Sequence, residues 1–350
     1  MNKFYIISCL ILVIGCTKVE EFEKPKTDEI RAIVVNEGQF GYGTASLTSL
    51  SYESIVEQDV FRKINNRPMG DVAQSLTKIN DRYYVPMNNS RKIEVFDSKT
   101  FQSVEIMPIS ENVIPMYLTH LGGDSVVVSD QKYPSKLMIM DINHGTEREI
   151  LRRYISIPGR TFQMQTINGK LFVGGDVSCV FDLSNLTDKG MRALKTKDGS
   201  NIQTVDFSKI VVDKNGNLWV LGHVAIFCID PVTEQTIHEI YVGNLNINTW
   251  VSCIDISPDK ETIYFNSSRR VYKMDVDNPV APETPIISPV REDGRTVYNM
   301  SVSNENTVFF AEVLYGSISR ALIYEYNTET GEEVQNFKAG IFPHFIYFTN

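Results

Sequence analysis

The sequence predicts an all-β fold made of seven similar units, because a short strand pattern returns along the whole chain. Each copy is a run of apolar and β-branched residues that closes on an acidic or amide residue. Six closing residues lie 41 to 52 positions apart: Asp97, Asp141, Asp182, Asp230, Asp275 and Asn327. A seventh copy, Ala45–Tyr52, precedes them. A strand repeat of about 40–50 residues is typical of a β-propeller with four strands per blade, so we predict seven blades.

The first unit lacks one strand, and the end of the chain predicts where that strand comes from. Strands are expected at Ile30–Asn36, Ser46–Ser51 and Ile55–Phe61, with a glycine-rich loop over 37–43. The last apolar run of the sequence, Gly340–Phe348, has no later segment to pair with. Docking this run on the N-terminal strands would close the ring and cover two exposed strand edges.

The other six units share one layout of inner strand, turn, second strand, repeat motif and polar outer strand. The predicted inner strands are Val72–Lys78, Pro115–His120, Thr161–Ile167, Val205–Val212, Trp250–Ile256 and Thr296–Val302. Turn residues such as Asn168-Gly169 follow them and are strong hairpin signals. Outer strands such as Thr146–Ile150 carry more charge because one face meets water. No segment keeps a helical period over three turns, so we predict an all-β chain.

The N-terminus predicts a bacterial lipoprotein. The apolar run Phe4–Ile14 is long enough for a signal peptide and too short to span a bilayer as a mature helix. It ends in a Gly-Cys pair typical of a lipobox, so Cys16 is predicted to be lipidated. An ordinary signal peptide with a chance cysteine is the alternative. The predicted parts are a signal peptide over 1–15, a lipidated polar tether over 16–29 and a propeller over 30–350.

Composition limits the partners that this chain can have. The formal net charge is −9 and no Lys/Arg cluster is present, which argues against nucleic-acid binding. No later apolar run approaches about 20 residues, so the expected membrane contact is through the lipid alone. Cys179, Cys228 and Cys253 lie in apolar strand patterns without metal-ligand spacing, and we predict that they are buried, unpaired and free of metal.

The candidate ligand residues lie on one face of the predicted ring. In a propeller, the loops entering each inner strand and the loops between second and third strands open on the same face as the central channel. Here these loops are rich in amides, aromatic rings and arginine, which suits a neutral polar ligand with apolar surface. Ordinary loop polarity is the alternative explanation. The candidates are Gln39, Phe40, Tyr42, Asn88, Arg91, Tyr133, Arg160, His223, Trp250, Arg269, Tyr298 and Tyr315.

Catalytic patterns are weak in this sequence. The five histidines are scattered without metal spacing, and no nucleophile elbow or phosphate-binding motif is present. Calcium-dependent lactonase propellers hold their metal with acidic and amide residues at inner-strand entries. Only Asp71 and Glu111-Asn112 resemble that arrangement. We therefore predict no catalytic residue and no cofactor, with a lactonase-like hydrolase as an alternative.

Several pieces of the sequence together resemble a known family. The strand Ile33–Asn36 runs into Glu37-Gly38 and Phe40-Gly41, and Ala45–Leu47 follows. With the lipobox and the seven units, the chain resembles the YncE-like surface lipoprotein propellers of Bacteroidetes over essentially its whole mature length. One branch of that family, the BtuG-like proteins, captures cobalamin at the cell surface and passes it to a TonB-dependent outer-membrane transporter.

The resemblance implies an outer-membrane lipoprotein that binds a small nutrient, such as cobalamin or a related corrinoid, and hands it to such a transporter. It assigns no ligand contact to a particular residue. An acidic patch behind Cys16 resembles the signal for export to the outer face of the outer membrane, and a periplasmic position is the alternative. A non-catalytic scaffold of an outer-membrane protein complex is the second functional hypothesis.

Overall fold

Seven small antiparallel sheets follow one another along the chain in a computed structural model, which describes residues 29–110, 112–143, 151–247, 251–290, 294–314 and 318–349. Within these residues six sheets have four strands and one has three. Together they form the seven-bladed β-propeller that the repeat predicts. No helix in this part of the chain is long and apolar enough to cross a membrane.

The strands are numbered in chain order. The first blade contains β1 (Ile30–Asn36), β2 (Ser46–Ser51), β3 (Val56–Glu57) and the C-terminal β27 (Pro343–Phe348). The other blades contain β4 (Thr77–Ile79), β5 (Arg82–Met87), β6 (Lys92–Asp97), β7 (Ser103–Pro108); β8 (Pro115–Gly122), β9 (Ser125–Asp130), β10 (Ser135–Asp141), β11 (Leu151–Ile157); β12 (Thr161–Ile167), β13 (Lys170–Gly175), β14 (Cys179–Asp182), β15 (Arg192–Ala193); β16 (Ile210–Val212), β17 (Leu218–Leu221), β18 (Ala225–Ile229), β19 (Thr236–Tyr241); β20 (Ile254–Ile256), β21 (Thr262–Ser267), β22 (Arg270–Asp275); and β23 (Arg295–Val302), β24 (Thr307–Leu314), β25 (Leu322–Asn327), β26 (Glu333–Lys338).

Three inner strands are shorter than the sequence predicts. Regular pairing begins at Thr77, Ile210 and Ile254, several residues after the predicted starts. In two of these blades a residue before the strand has a left-handed backbone, Val72 at φ 59° and Phe207 at φ 63°, which breaks the extended conformation. The predicted outer strand over 146–150 lies outside the described residues.

One predicted strand is wrong. Over Ile55–Phe61 the chain pairs for only two residues and then forms a short helix, α1 (Val60–Asn65). The helix turns Val60 and Phe61 into the core between the first two blades, where the Phe61 ring meets Phe96 at 5.7 Å. Tertiary burial thus overrides the local strand pattern. Three short 3₁₀ turns also occur, at Leu183–Asn185, Asp188–Gly190 and Gly243–Leu245.

The core lies between neighbouring blades. One apolar cluster joins Leu47 of the first blade to Phe96 of the second, and another joins Trp219 to Phe265 across a later blade boundary. The three predicted core cysteines are buried and have free thiols, as expected. This packing makes each blade depend on both of its neighbours.

The residues that close the repeat motif begin the turn to the outer strand. The Asp97 carboxylate accepts hydrogen bonds from the backbone N–H groups of Lys99 and Thr100 at 2.9 and 2.8 Å. Asp230 and Asn327 accept the same pattern of bonds from the residues two and three positions later. At Asp230 the bond from the next-but-one N–H lowers the pKa of the carboxyl group. The repeat therefore marks a turn-capping position and no chemistry.

The ring is closed by β27, which pairs antiparallel with β1 as predicted. The buried Asn36 side chain accepts a hydrogen bond from the Gly340 N–H at 2.9 Å. Arg31 reaches across the joint to the last blade and binds both carboxylate oxygens of Glu325, at 2.6 and 2.9 Å. The closure is therefore held by backbone pairing, a buried amide and a buried ion pair.

Replacing Glu325 with Gln should weaken this closure. The change keeps the side-chain shape and removes the buried anion of the Arg31 guanidinium, which is 10% exposed and keeps only the more exposed Glu305 as a carboxylate partner. Breaking a buried ion pair in this way typically costs about 3–5 kcal/mol. Urea unfolding followed by circular dichroism measures the loss. Lys63→Met, which breaks an exposed pair with Glu57, is the control and should stay near wild type. Equal losses in both variants would contradict the prediction.

Candidate functional site

A cavity of about 350 Å³ lies at the mouth of the central channel. Its walls come from six of the seven blades, which can meet only near the axis of the ring. The lining residues are Glu37, Phe40, Val72, Gln74, Asn88, Gln131, Phe207, Val251, Thr296, Tyr298 and His344. Phe345 of β27 packs against the core between the first two blades and also against the core between the third and fourth blades. Its ring therefore lies close to the axis of the propeller.

Glu37 is the centre of the hydrogen bonding in this cavity. Its Oε1 atom accepts a bond from the Gln74 amide at 3.0 Å and contacts His344 Nδ1 at 3.1 Å. Its Oε2 atom accepts a bond from the Tyr298 hydroxyl at 2.7 Å. His344 Nε2 in turn lies 3.1 Å from the Tyr117 hydroxyl. The Glu37 carboxylate thus contacts three side chains, Gln74, Tyr298 and His344, each from a different inner strand or the loop that enters it.

Burial sets the protonation of this network. It raises the pKa of Glu37 to about 7, against the opposing hydrogen bonds from Tyr298 and Gln74. It lowers the pKa of His344 to about 4, since the rings of Tyr117, Phe207 and Tyr298 surround the imidazole. The imidazole is therefore neutral at pH 7. Its Nδ1–H donates to the ionised Glu37, and its Nε2 accepts the Tyr117 proton.

Irregularities in the inner strands aim these side chains at the axis. His344 is the extra residue of a β-bulge in β27, and Tyr298 is the extra residue of a bulge in β23. Tyr117 lies within a third bulge, in β8. A bulge interrupts the alternation of a strand and redirects one side chain. Three blades therefore turn a polar aromatic or imidazole group inward at the same level.

The loop that carries Glu37 is held by the ring closure. The Glu37 and Gly38 N–H groups donate to Phe342 and Ile341, each at 2.9 Å. Gly38 has φ +81°, and a Cβ there would lie 2.4 Å from the Thr44 backbone. Only glycine lets the chain turn back so closely after Glu37. The Asn-Glu-Gly stretch that carries the family resemblance therefore positions a carboxylate in the cavity.

Two features of the cavity wall are costly for stability. Val72 and Phe207 both adopt left-handed backbone, which is unusual for branched or bulky residues and is often kept at functional sites. The Oε1 atom of Gln74 is buried and has no hydrogen-bond partner among the described residues. An unpaired buried acceptor costs free energy unless a further donor reaches it.

Asp71 holds the loop that covers one side of the cavity. Its Oδ2 atom accepts bonds from the Gly41 N–H at 2.7 Å and from the Asn89 amide at 2.6 Å. These bonds place Phe40, with 69% of its surface exposed, at the rim. Among the described residues, no group of three or more His, Cys, Asp and Glu is arranged to hold a metal ion. Glu111 of the lactonase-like hypothesis lies outside those residues.

Three predicted ligand residues, Phe40, Asn88 and Tyr298, line the cavity. Two predicted arginines are held in ion pairs instead. Arg160 binds Asp176 and Asp206 at 2.8 to 3.2 Å, and these hydrogen bonds, led by those to Asp176, raise its pKa. Arg269 binds both carboxylate oxygens of a buried glutamate, Glu312.

The other predicted residues lie elsewhere on the same face or cannot be placed. Tyr42 and Tyr133 are 68% and 73% exposed and do not line the cavity. The remaining described candidates, away from the cavity wall, are Gln39, Arg91 and His223. Trp250, Tyr315 and the lipidation candidate Cys16 lie outside the described residues.

Sequence reasoning did not select Glu37 and His344, whose pKa values burial shifts to about 7 and about 4, or their neighbours Gln74 and Phe207. A signal for Glu37 was present, since it is an acidic residue between a largely apolar strand and a glycine. No comparable signal marks His344, because its bulge depends on pairing with a strand at the other end of the chain.

Fold and cavity together define a seven-bladed β-propeller with a polar, ring-lined pocket on its axis. Within that class, the chain belongs to the DUF5074 family, a domain of unknown function whose model matches residues 32–349. No curated protein matches the chain.

Solved structures with little sequence identity share the fold. A candidate 6-phosphogluconolactonase from Bacteroides fragilis superposes with a TM-score of 0.66 and 12% identity, over 94% of this chain and 100% of that one. Hydrazine synthase of Kuenenia stuttgartiensis superposes with a TM-score of 0.56 and 12% identity, over 78% of this chain and 88% of that one. The dihydro-heme d1 dehydrogenase NirN superposes with a TM-score of 0.54 and 11% identity, over 90% of this chain and 68% of that one. At these identities the likeness shows the fold alone.

Glu37→Gln should change the pH dependence of stability. The folded-state pKa of about 7 exceeds the ordinary value of 4.5, so the stability that comes from protonated Glu37 is present below pH 4.5 and is lost as pH rises through 7. The variant does not lose this stability with rising pH, because glutamine does not titrate. Between pH 5 and pH 8 the unfolding free energy should therefore shift in favour of the variant by about 2–3 kcal/mol.

Urea unfolding at the two pH values measures this shift. Glu283→Gln, which removes an exposed carboxylate, is the control and should follow wild type at both. If the unfolding free energies of Glu37→Gln and wild type differ by the same amount at both pH values, the pKa of Glu37 is ordinary and the prediction is wrong.

Proposed function

We propose that this protein is a binding propeller that captures a small organic molecule in the channel-mouth cavity. The observation that carries the proposal is the convergence of one carboxylate, three amides and three aromatic rings from five blades on about 350 Å³ of space. A cavity of this size is at the lower end of those that take small ligands. Such a wall combines apolar surface with a few fixed polar groups.

The lining residues have distinct roles in this proposal. The ring of Phe40 at the rim covers the apolar part of the ligand, and Phe207 lines the wall. The amides of Asn88 and Gln131, 3.4 Å apart, offer donors and acceptors on the wall that the second and third blades form. Gln74 Oε1 has no hydrogen-bond donor among the described residues. A ligand that satisfies it would remove an existing cost of the unbound protein.

Binding without turnover is the role that the chemistry favours. The hydroxyl group next to His344 belongs to Tyr117, which is 3% exposed, and burial raises its pKa well above the ordinary value. A phenol that resists ionisation in this way is a poor nucleophile. Tyr117 instead fixes the imidazole orientation.

The finer proposal follows from the family resemblance. The protein would be an outer-membrane lipoprotein, attached through Cys16, that captures a corrinoid such as cobalamin and passes it to a TonB-dependent transporter. The exposed rings of Phe40, Tyr42 and Tyr133 support a broad apolar ligand on this face. We propose that only an edge group of such a macrocycle enters the cavity, with the rest on these rings.

Phe40→Ala should weaken ligand capture about tenfold, because a ligand would lose apolar contact worth about 1–2 kcal/mol. The full chain is incubated with a protein-free small-molecule extract of the producing cells, desalted and examined by native mass spectrometry. A one-to-one adduct is expected in wild type. Tyr52→Ala removes a ring that is 53% exposed and does not line the cavity, and it should capture as wild type does. Equal adducts in both variants would place the site elsewhere.

The corrinoid proposal has a separate test. Incubation with cyanocobalamin or cobinamide and subsequent desalting should leave a coloured protein with one corrinoid per chain. A colourless product with an intact small-molecule adduct in the previous experiment would remove the corrinoid and keep the binding site.

A further inference from the structure

Among the described residues, the cavity wall carries one acidic side chain and no side chain that is cationic at pH 7. Of its described lining residues only Glu37 titrates near neutral pH, because burial lowers the pKa of His344 to about 4 and leaves the imidazole neutral there. The guanidinium group of Arg160, which we predicted as a ligand group, is bound by two aspartates, Asp176 and Asp206. An anion entering this cavity would meet a carboxylate and find no cation.

Two oxygen atoms of this wall have hydrogen-bonding capacity left, Glu37 Oε2 and the buried Gln74 Oε1. Among the described residues, Glu37 Oε2 accepts one bond, from Tyr298, so it can accept a second. Gln74 Oε1 accepts none. The Gln74 amide lies 3.0 Å from the other oxygen of Glu37, so both acceptors belong to one small region. About 15% of the Glu37 side-chain surface is exposed, which leaves it reachable from the cavity.

Aromatic rings line the cavity together with these acceptors. Phe40, Phe207 and Tyr298 all form part of its wall. The faces of such rings attract organic cations, and they also cover the apolar body to which a cationic group is attached. A carboxylate combined with several rings is a general arrangement for binding protonated amines.

We infer that the ligand presents a protonated amine to Glu37 and Gln74, with its apolar part against Phe40, Phe207 and Tyr298. The ligand class is thus an organic cation with an aromatic or aliphatic body. Phosphorylated and carboxylated molecules of similar size are rejected by the uncompensated carboxylate. This inference rests on the proposed capture of a small organic molecule and adds the charge and chemical class of that ligand. It is separate from the corrinoid proposal, because the edge groups of a corrinoid are neutral amides.

Ionisation of Glu37 should then control affinity. The titratable groups that face Glu37 are His344 on β27 and Tyr298 on β23, followed by Tyr117 on β8 with Cys253 and Asp206 around it. None of these is cationic at pH 7 to 8. With a Glu37 pKa of about 7, the ionised fraction rises about tenfold between pH 6 and pH 8, and the affinity for a permanent cation rises with it.

Calorimetric titration of the full chain with three matched probes tests the inference. Tyramine is a cation, tyrosol is its neutral alcohol analogue, and 4-hydroxyphenylacetate is its anionic analogue. At pH 8 tyramine should bind at least tenfold more tightly than either of the others. Its affinity should rise about tenfold from pH 6 to pH 8, whereas the affinity of tyrosol should not change.

Glu37→Gln provides the matched variant. It keeps the size of the side chain and one accepting oxygen, and it should reduce tyramine binding to the level of tyrosol, with no pH dependence. Comparison of the three probes on wild type does not depend on how the variant folds. Equal binding of all three probes, or tighter binding of the anion, would overturn the cation inference and leave the cavity as a binding site. If none of the three probes binds at millimolar concentration, the cation inference is also overturned. The Phe40→Ala capture experiment then decides separately whether the proposed function holds.

Discussion

The antiparallel pairing of β27 with β1 is the contact on which the rest of this propeller depends. The other blades form from contiguous stretches of chain, whereas this pairing joins segments about 300 residues apart. Each blade packs only on its two neighbours, so an open ring would expose two strand edges and two apolar faces. The Arg31–Glu325 ion pair and the Asn36–Gly340 hydrogen bond hold the joint at its two ends.

The same pairing creates the candidate site. It brings His344 within 3.1 Å of Glu37 and fixes the Glu37 loop through backbone bonds to 341 and 342. The cavity concentrates several unfavourable features, namely a carboxylate raised to a pKa of about 7, a buried unpaired acceptor and two bulky left-handed residues. Each lowers the stability of the unbound protein. Their occurrence together on one cavity wall supports binding as the reason that they are present.

Fold and function are carried by different parts of the chain. The interblade cores and turn-capping aspartates repeat in several blades and build the ring, and propellers with 11–12% identity superpose on it. The cavity instead uses positions where the repeat is broken, by bulges in three inner strands and by left-handed residues before two others. A likeness of fold therefore does not transfer a substrate, and the ligand class has to be argued from this wall itself.

The sequence by itself determined the strand repeat, the number of blades, the closing strand and the face on which the loops gather, because alternation and turn chemistry are local and each blade repeats them. It misplaced α1, where burial of Val60 and Phe61 overrides a strand pattern. It also indicated Arg160 as a ligand-binding residue, although Asp176 and Asp206 bind its guanidinium group. Only the tertiary structure decided that Glu37 and His344 meet on the axis. A β-bulge reverses the expected direction of a side chain, and its position depends on a partner strand that no local pattern identifies.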